Sequence, residues 1–137
     1  MTESEKKPRN GSIGVLICDD VDSMRVLLSV VIGLQPELHV AGEAKDGEQA
    51  IAEAQRLQPD VVLLDLSMPR RSGLDALPEI RRVAPEAKVI VLSGFATPMV
   101  GSVVLGLGAA RYIEKGADPD TIAATIMEVA ISPSELG

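Results

Sequence analysis

The amino-acid sequence predicts an α/β domain, in which a parallel β-sheet carries helices on both of its faces. Short apolar runs alternate with amphipathic stretches along most of the chain, which is the pattern of repeated β-α units. Proline-containing breaks at 35–37, 58–60 and 84–86 each end a predicted helix just before the next strand. A length of 137 residues is typical of one compact domain, so we expect a single sheet and a single domain.

The strands are predicted from apolar runs at 15–18, 61–64 and 89–92, and from a shorter run at 112–114. Continuous apolar runs of this length are typical of parallel strands that are buried on both faces. A further strand is predicted between the break at 35–37 and the next helix. In chain order, the predicted strands span about 13–18, 38–44, 60–65, 88–93 and 110–114.

The helices are predicted from apolar residues spaced three and four positions apart, because this spacing places them on one face. Three such faces consist of Met24, Leu27, Leu28 and Val31, of Ala50, Ile51, Ala54 and Leu57, and of Ile122, Ile126, Val129 and Ala130. The predicted helices span about 22–34, 47–57, 74–83, 98–107 and 119–130. We expect Asp22 to cap the first helix, Asp46 to start the second, and Asp118, followed by Pro119, to cap the last. Pro78 costs the third helix little if it lies in the first turn.

The segment 89–110 carries no charged residue and is long enough to cross a membrane. Its prolines, serines and glycines favour a strand, a loop and a helix instead. Glycines at 101, 106 and 108 make the fourth helix weak, so we expect it to be mobile or partly frayed.

Charge, cysteine content and the chain ends indicate which partners and which cellular location to expect. A formal net charge of −7 argues against direct DNA binding, which depends on lysines and arginines. Cys18 is the only cysteine, so no internal disulfide can form and a cytoplasmic location is expected. Residues 1–12 are polar and are interpreted as a disordered leader, while 131–137 form a tail or the start of a linker.

Five side chains suited to phosphoryl chemistry lie where apolar runs end: Asp19 and Asp20 at the first predicted strand, Asp65 at the third, Ser93 at the fourth and Lys115 at the fifth. Because the carboxyl ends of parallel strands share one edge of a sheet, we expect these side chains to converge. Crowded carboxylates repel one another unless a cation neutralises them, and Mg²⁺ prefers oxygen ligands. Asp65 is then a candidate nucleophile towards phosphorus, with countercharge from Lys115 and the Ser93 hydroxyl.

Together these residues resemble the receiver domains of two-component response regulators over about 13–130. The match also includes the stretch 41–50, Asp65-Leu66-Ser67-Met68-Pro69 with Ser72-Gly73-Leu74, Ser93-Gly94, and Tyr112 three residues before Lys115. The fold implied by the resemblance is a doubly wound, flavodoxin-like (βα)5 domain with strand order 2-1-3-4-5.

The resemblance also implies roles for individual residues. Asp65 would be the phosphoacceptor; Asp19, Asp20, Asp65 and the Ser67 carbonyl would hold Mg²⁺, with Mn²⁺ as an alternative. Ser93, Gly94 and Lys115 would bind the phosphoryl group. Ser93 and Tyr112 would act as a switch that alters the face formed by the fourth helix, fifth strand and fifth helix.

The partners implied are a histidine kinase or phosphotransfer protein, or a small acyl phosphate, as donor. The domain would be no enzyme beyond its own phosphorylation and dephosphorylation. Features of 41–50 and of the tail resemble receivers that precede a LuxR-type DNA-binding domain, and no such domain lies within these 137 residues. A stand-alone receiver that docks onto another protein therefore stays open.

Other functions are weaker alternatives. A phosphatase typically has a second acid two residues after its nucleophile, where this chain has Ser67. A nucleotide- or flavin-binding domain lacks support because Asp19-Asp20-Val21-Asp22 replaces a glycine-rich loop. A degenerate receiver used only as a scaffold, and self-association through the first, fourth or fifth helix, both stay open. Gly116 follows Lys115 where many receivers have proline, and His39 is interpreted as structural or exposed.

Overall fold

The structure is a computed structural model, and it describes residues 12–94 and 98–131. Strands and helices alternate along the chain as the sequence predicts, with bounds within one residue of the predicted ones. The strands are β1 (Ile13–Cys18), β2 (Leu38–Ala44), β3 (Val61–Asp65), β4 (Lys88–Ser93) and β5 (Arg111–Glu114). The helices are α1 (Asp22–Gly33), α2 (Gly47–Leu57), α3 (Gly73–Val83), α4 (Pro98–Gly106) and α5 (Pro119–Ile131).

The five strands form one sheet in the order β2-β1-β3-β4-β5, and every neighbouring pair is parallel. This confirms the predicted doubly wound α/β fold. Because all strands run in the same direction, β1, β3, β4 and β5 end along one edge of the sheet. The residues that follow those strands therefore lie along that edge.

Alternate residues of each central strand enter two separate hydrophobic cores. Leu16, Val62 and Val91 belong to the core that includes α2 and α3. Residues one position away, such as Ile17 and Leu63, belong to the core that includes α1 and α5. Burial on both sides explains why the strands are continuous apolar runs, since each buried aliphatic side chain stabilises the fold by roughly 1.5–3 kcal/mol.

Two helix N-termini agree with the sequence analysis and one does not. The side chain of Asp46 accepts a hydrogen bond from Gln49 N at 2.8 Å at the start of α2, and Asp118 accepts one from Asp120 N at 3.3 Å. The prediction for Asp22 was wrong, because Val21 is the N-cap residue of α1. Asp22 lies in the first turn and forms an ion pair with Arg25.

Pro78 is the sixth residue of α3, so it lies beyond the first turn. A proline at this position is expected to destabilise the helix, because it has no backbone N–H to donate to the carbonyl of Leu74. The sequence analysis expected a small cost only for a proline in the first turn. Ser72 supports the helix at its start by accepting a hydrogen bond from Asp75 N at 3.1 Å.

Several remaining expectations concern the ends of the chain and its surface. Residues 1–11 and 132–137 lie outside the described residues. Ser12 is buried, with its hydroxyl 2.7 Å from Nδ1 of His39, and Ile131 is the last residue of α5. No helix in the described ranges is long and apolar enough to cross a membrane. Val26 and Val30 of α1 are exposed, and self-association through this helix stays a prediction.

Candidate functional site

Three acidic side chains converge at the carboxyl edge of the sheet. Asp19 and Asp20 directly follow β1, and Asp65 is the last residue of β3, the neighbouring strand. One carboxylate oxygen from each of the three residues lies within 4.8 Å of the others. The parallel pairing of β1 with β3 therefore creates a small cluster of negative charge from distant parts of the chain.

The cluster is held by the turns that follow the strands. Asp19 and Asp65 are almost fully buried, whereas Asp20 is exposed. Asp19 Oδ1 accepts a hydrogen bond from Val21 N at 2.9 Å, and Asp65 Oδ1 accepts one from Ser67 N at 3.1 Å. Each buried carboxylate thus uses one oxygen to order its own loop and keeps the other for the site.

Lys115 lies between the two buried carboxylates. Its Nζ is 3.0 Å from Asp19 Oδ2 and 3.1 Å from Asp65 Oδ2. Its backbone N donates to the carbonyl of Ser93 at 2.8 Å, which fixes the loop after β5 against the end of β4. The ammonium group therefore offsets part of the negative charge at the centre of the site.

Ionisation of Asp65 and Lys115 is coupled through this contact. Burial raises the pKa of Asp65, as does Asp19, and the Ser67 amide and Lys115 oppose this increase without cancelling it. Burial lowers the pKa of Lys115, but the contacts with Asp19 and Asp65 outweigh it, so the pKa is raised. The raised pKa of Lys115 keeps its side chain cationic near neutral pH, while burial and Asp19 make the ionised form of Asp65 less favourable than that of an exposed aspartate.

The donor set fits a divalent cation. Asp19 Oδ2 is buried and has the Lys115 ammonium as its ion-pair partner at 3.0 Å. Three clustered carboxylates, each of which offers an oxygen, are typical ligands of a hard cation such as Mg²⁺. The site is therefore a candidate metal centre, and Ser67, two residues past β3, lies in the loop beside it.

Glycines allow close backbone contacts around the phosphoacceptor candidate. A Cβ on Gly73 would lie 2.0 Å from the carbonyl oxygen of Asp65, and one on Gly47 would lie 2.2 Å from that of Arg71. Gly73 N also donates to the carbonyl of Leu66 at 3.0 Å. The loop between β3 and α3 is thereby packed directly against the end of β3 and the start of α2.

Two arginines at the site were missed by the sequence analysis. Arg70, with a positive φ of 63°, donates from Nη2 to Asp46 Oδ2 at 3.0 Å and so ties the loop after β3 to α2. Arg25 contacts the loop after β1. A cation near the N-terminus of a helix interacts unfavourably with the helix dipole. The position of Arg25 at the start of the predicted helix could therefore have indicated that it has acidic partners nearby.

The remaining predicted residues lie at the β4 and β5 end of the edge. Ser93 is buried at the end of β4, and no atom of the described residues other than the chain neighbours of Gly94 lies within 4 Å of a Cβ built on that glycine. Tyr112 is partly buried in β5, and a Cβ on Gly101 of α4 would lie 3.0 Å from its ring. The structure therefore places the tyrosine ring directly over the α4 backbone.

A cavity of about 390 Å³ adjoins the site between the loop after β3 and α4. Ser67 and Ser93 line it together with apolar side chains, among them Leu74, Met99 and Val103. The cavity therefore combines residues of the site with an apolar surface.

Comparison with known proteins decides the family. The model of the response regulator receiver domain matches residues 15–127, which include the acidic residues, Ser93 and Lys115. This chain is a response regulator receiver domain.

Relatives of this receiver differ in length. It is 34% identical over 116 residues to the chemotaxis protein CheY of Thermotoga maritima, covering 85% of this chain and 96% of CheY. It is also 34% identical over 117 residues to the transcriptional regulatory protein LnrK of Bacillus subtilis, covering 85% of this chain but 53% of LnrK. The chain thus spans about half the length of the second relative.

A solved structure of the same family has the same fold. The signal receiver domain of the response regulator NarL from Mycobacterium tuberculosis superposes with a TM-score of 0.84 at 26% identity, covering 89% of this chain and 98% of that one. The receiver fold and the two-component signalling family predicted from the sequence are confirmed.

Proposed function

We propose that this receiver accepts a phosphoryl group on Asp65, with Mg²⁺ held by Asp19, Asp20, Asp65 and the backbone carbonyl of Ser67. The observation that carries the proposal is the cluster of three carboxylates within 4.8 Å, two of which share the ammonium group of Lys115. A bound divalent cation supplies the positive charge that an ionised Asp65 and an incoming phosphoryl group both need. Mn²⁺, which accepts the same oxygen ligands, is an alternative ion.

The residues of the chain have separate parts in the transfer. The carboxylate of Asp65 attacks the phosphorus of a phosphohistidine, the P–N bond breaks, and the imidazole nitrogen keeps the bonding electron pair. The Ser67 amide holds Asp65 Oδ1, which leaves the carboxylate in a fixed orientation. Lys115 and the Ser93 hydroxyl bind oxygens of the transferred group, and Gly94 adds no side chain to the approach.

Phosphorylation then acts as a switch. The new negative charge attracts Ser93 and Lys115, and a shift of Ser93 leaves room that Tyr112 occupies. Since the Tyr112 ring lies over Gly101 of α4, its movement changes the face formed by α4, β5 and α5. This is a shift between two packings that is driven by charge-assisted contacts.

The partners follow from this chemistry. The donor is a histidine kinase or phosphotransfer protein in the cytoplasm, or a small acyl phosphate, and the domain turns over no substrate other than its own phosphoryl group. We propose that the switched face controls transcription through a LuxR-type domain. Control of transcription is supported by the similarity to the longer transcriptional regulatory protein LnrK. Stand-alone docking is the second candidate, because the match with CheY covers 96% of that relative.

The test is incubation with acetyl phosphate and Mg²⁺, followed by intact-mass spectrometry. We expect the mass of one phosphoryl group to be added to the wild type, and to Asp75→Asn, a matched variant at an exposed aspartate of α3. Asp65→Asn should gain nothing, and EDTA should prevent the gain in the wild type. Phosphorylation of Asp65→Asn to the same extent would refute Asp65 as acceptor, and absence of any gain in the wild type would favour the scaffold role.

A further inference from the structure

Arg25 joins three segments around the acidic cluster, although it belongs to none of the strand ends. Its Nη1 donates to the backbone carbonyl of Asp19 at 2.7 Å. Its Nε donates to Glu43 in β2 at 3.1 Å, and Nη2 forms an ion pair with Asp22. The side chain is 11% exposed, so the guanidinium is held in one orientation by the fold rather than extended into solvent.

The loop that Arg25 contacts lacks the usual support at a helix N-terminus. Val21 is the N-cap residue of α1 and has no side-chain oxygen with which to accept a backbone hydrogen bond. The loop 19–21 is held at Asp19 by the backbone bond from Asp19 N to the Ala44 carbonyl, and within the loop by the bond from Val21 N to Asp19 Oδ1. The bond from Arg25 to the Asp19 carbonyl adds a side-chain contact to these backbone bonds. Asp20, which is exposed, lies in this loop, so a change in the loop changes the position of its carboxylate.

We propose that Arg25 is a positioning residue for the cation site, holding Asp19 and Asp20 in the geometry that binds Mg²⁺. The inference rests on the proposed function, because it assumes that the acidic cluster binds the ion. The planar guanidinium can bond to the Asp19 carbonyl, Asp22 and Glu43 at once, whereas an ammonium group has no such fork. The contacts with Glu43 and Asp22 orient the guanidinium, and its bond to the Asp19 carbonyl then holds the loop 19–21 in place.

Positioning and simple charge effects predict opposite results. Arg25 is a cation near a cation site, so by charge alone its removal should tighten Mg²⁺ binding, and replacement by lysine should leave the affinity unchanged. If Arg25 positions the ligands, both Arg25→Lys and Arg25→Met should bind Mg²⁺ about tenfold more weakly, the lower end of the range for residues that orient metal ligands.

The experiment is a Mg²⁺ titration of the protein, followed by NMR of the backbone amides of residues 19–21 and 65–67. The matched control is Arg82→Met, which removes a cation from an exposed arginine that pairs with Glu79 within α3. We expect the wild type and Arg82→Met to bind Mg²⁺ equally, and both Arg25 variants to bind it more weakly. If Arg25→Met does not fold, Arg25→Lys decides, since the two explanations also differ for lysine.

A second readout needs no metal. In the metal-free protein, the amide of Val21 should exchange faster in both Arg25 variants than in the wild type, because the loop that it stabilises has lost its anchor. Unchanged or tighter Mg²⁺ binding by both Arg25 variants would overturn the positioning role alone. Absence of Mg²⁺ binding by the wild type would overturn the proposed function and this inference with it.

Discussion

Replacing Gly73 by alanine should destabilise the receiver strongly, although alanine is the better helix former. The new Cβ would lie 2.0 Å from the carbonyl oxygen of Asp65, 2.8 Å from its carbonyl carbon and 2.9 Å from Leu66 Cα. All three atoms belong to the backbone, so no side-chain rotation relieves the contact. A carbon and an oxygen need at least 3.0 Å, which means that the end of β3 and the start of α3 must separate by about 1 Å.

The expected cost combines two contributions. Overpacking in a close-packed region costs about 1–3 kcal/mol, and weakening of the bond from Gly73 N to the Leu66 carbonyl adds about 1 kcal/mol. We therefore expect Gly73→Ala to lose about 2–4 kcal/mol of unfolding free energy. This leaves a folded protein if the total lies in the usual range of about 5–15 kcal/mol.

The assay is urea unfolding followed by circular dichroism, with acetyl phosphate labelling as a second measurement. Gly33→Ala is the matched control, because a Cβ at the last residue of α1 would meet no atom of the described residues within 4 Å beyond its chain neighbours and the backbone of its own helix. That variant should be unchanged or gain up to about 1 kcal/mol. Equal stability of Gly73→Ala and the wild type would refute the argument, and normal labelling of a destabilised variant would show that Asp65 has not moved.

Acid should weaken the fold partly through Asp46, because the Gln49 amide, and then Arg70, lower its pKa. A carboxyl group whose pKa is lower in the folded than in the unfolded state stabilises the fold at pH values above the unfolded-state pKa of about 4. This stabilisation is lost as the pH falls through the folded-state pKa. In urea titrations, Asp46→Asn should therefore be less stable than the wild type at pH 6, and the difference should shrink as the pH falls below about 4. A difference that stays constant with pH would contradict this. Asp65→Asn should raise the metal-free urea midpoint at pH 7, since burial and Asp19 raise the pKa of Asp65 and make its ionised form unfavourable. That gain should vanish below about pH 4, and a lowered midpoint at pH 7 would argue against it. Amides of α4 should exchange faster than those of α1, because an interior Gly101 costs about 1 kcal/mol relative to alanine; equal protection by hydrogen-exchange mass spectrometry would contradict the expectation.

The strands and the convergence of the acidic residues could be predicted because both follow from local patterns. Runs such as 61–64 are apolar throughout since alternate residues enter different cores, and this leaves a clear signal in the sequence. The meeting of Asp19, Asp65 and Lys115 follows from parallel strands sharing one edge. No detailed packing is needed for either prediction.

Contacts that depend on the relative placement of elements could not be predicted. Arg25 reaches Glu43 only because α1 packs beside the end of β2, and Arg70 reaches Asp46 across two loops. Asp22 suits an N-cap position by residue type, but the Asp19 side chain already accepts from Val21 N and the helix begins with Asp22 inside its first turn. The preference of aspartate for N-cap positions was therefore not enough to predict which residue starts the helix.

The contact of Lys115 with Asp19 and Asp65 also has a mechanical consequence. β5 is one of the two edge strands and has four residues, so few backbone hydrogen bonds join it to β4. The lysine side chain extends from the end of that strand to Asp65, two strands inward, and to Asp19, three strands inward. The two ion pairs therefore attach this edge of the sheet to its centre. A change in charge at the acidic cluster therefore strengthens or weakens the attachment of β5 to the sheet. A neutral residue at position 115 removes a cation from the site and also weakens the attachment of this edge strand.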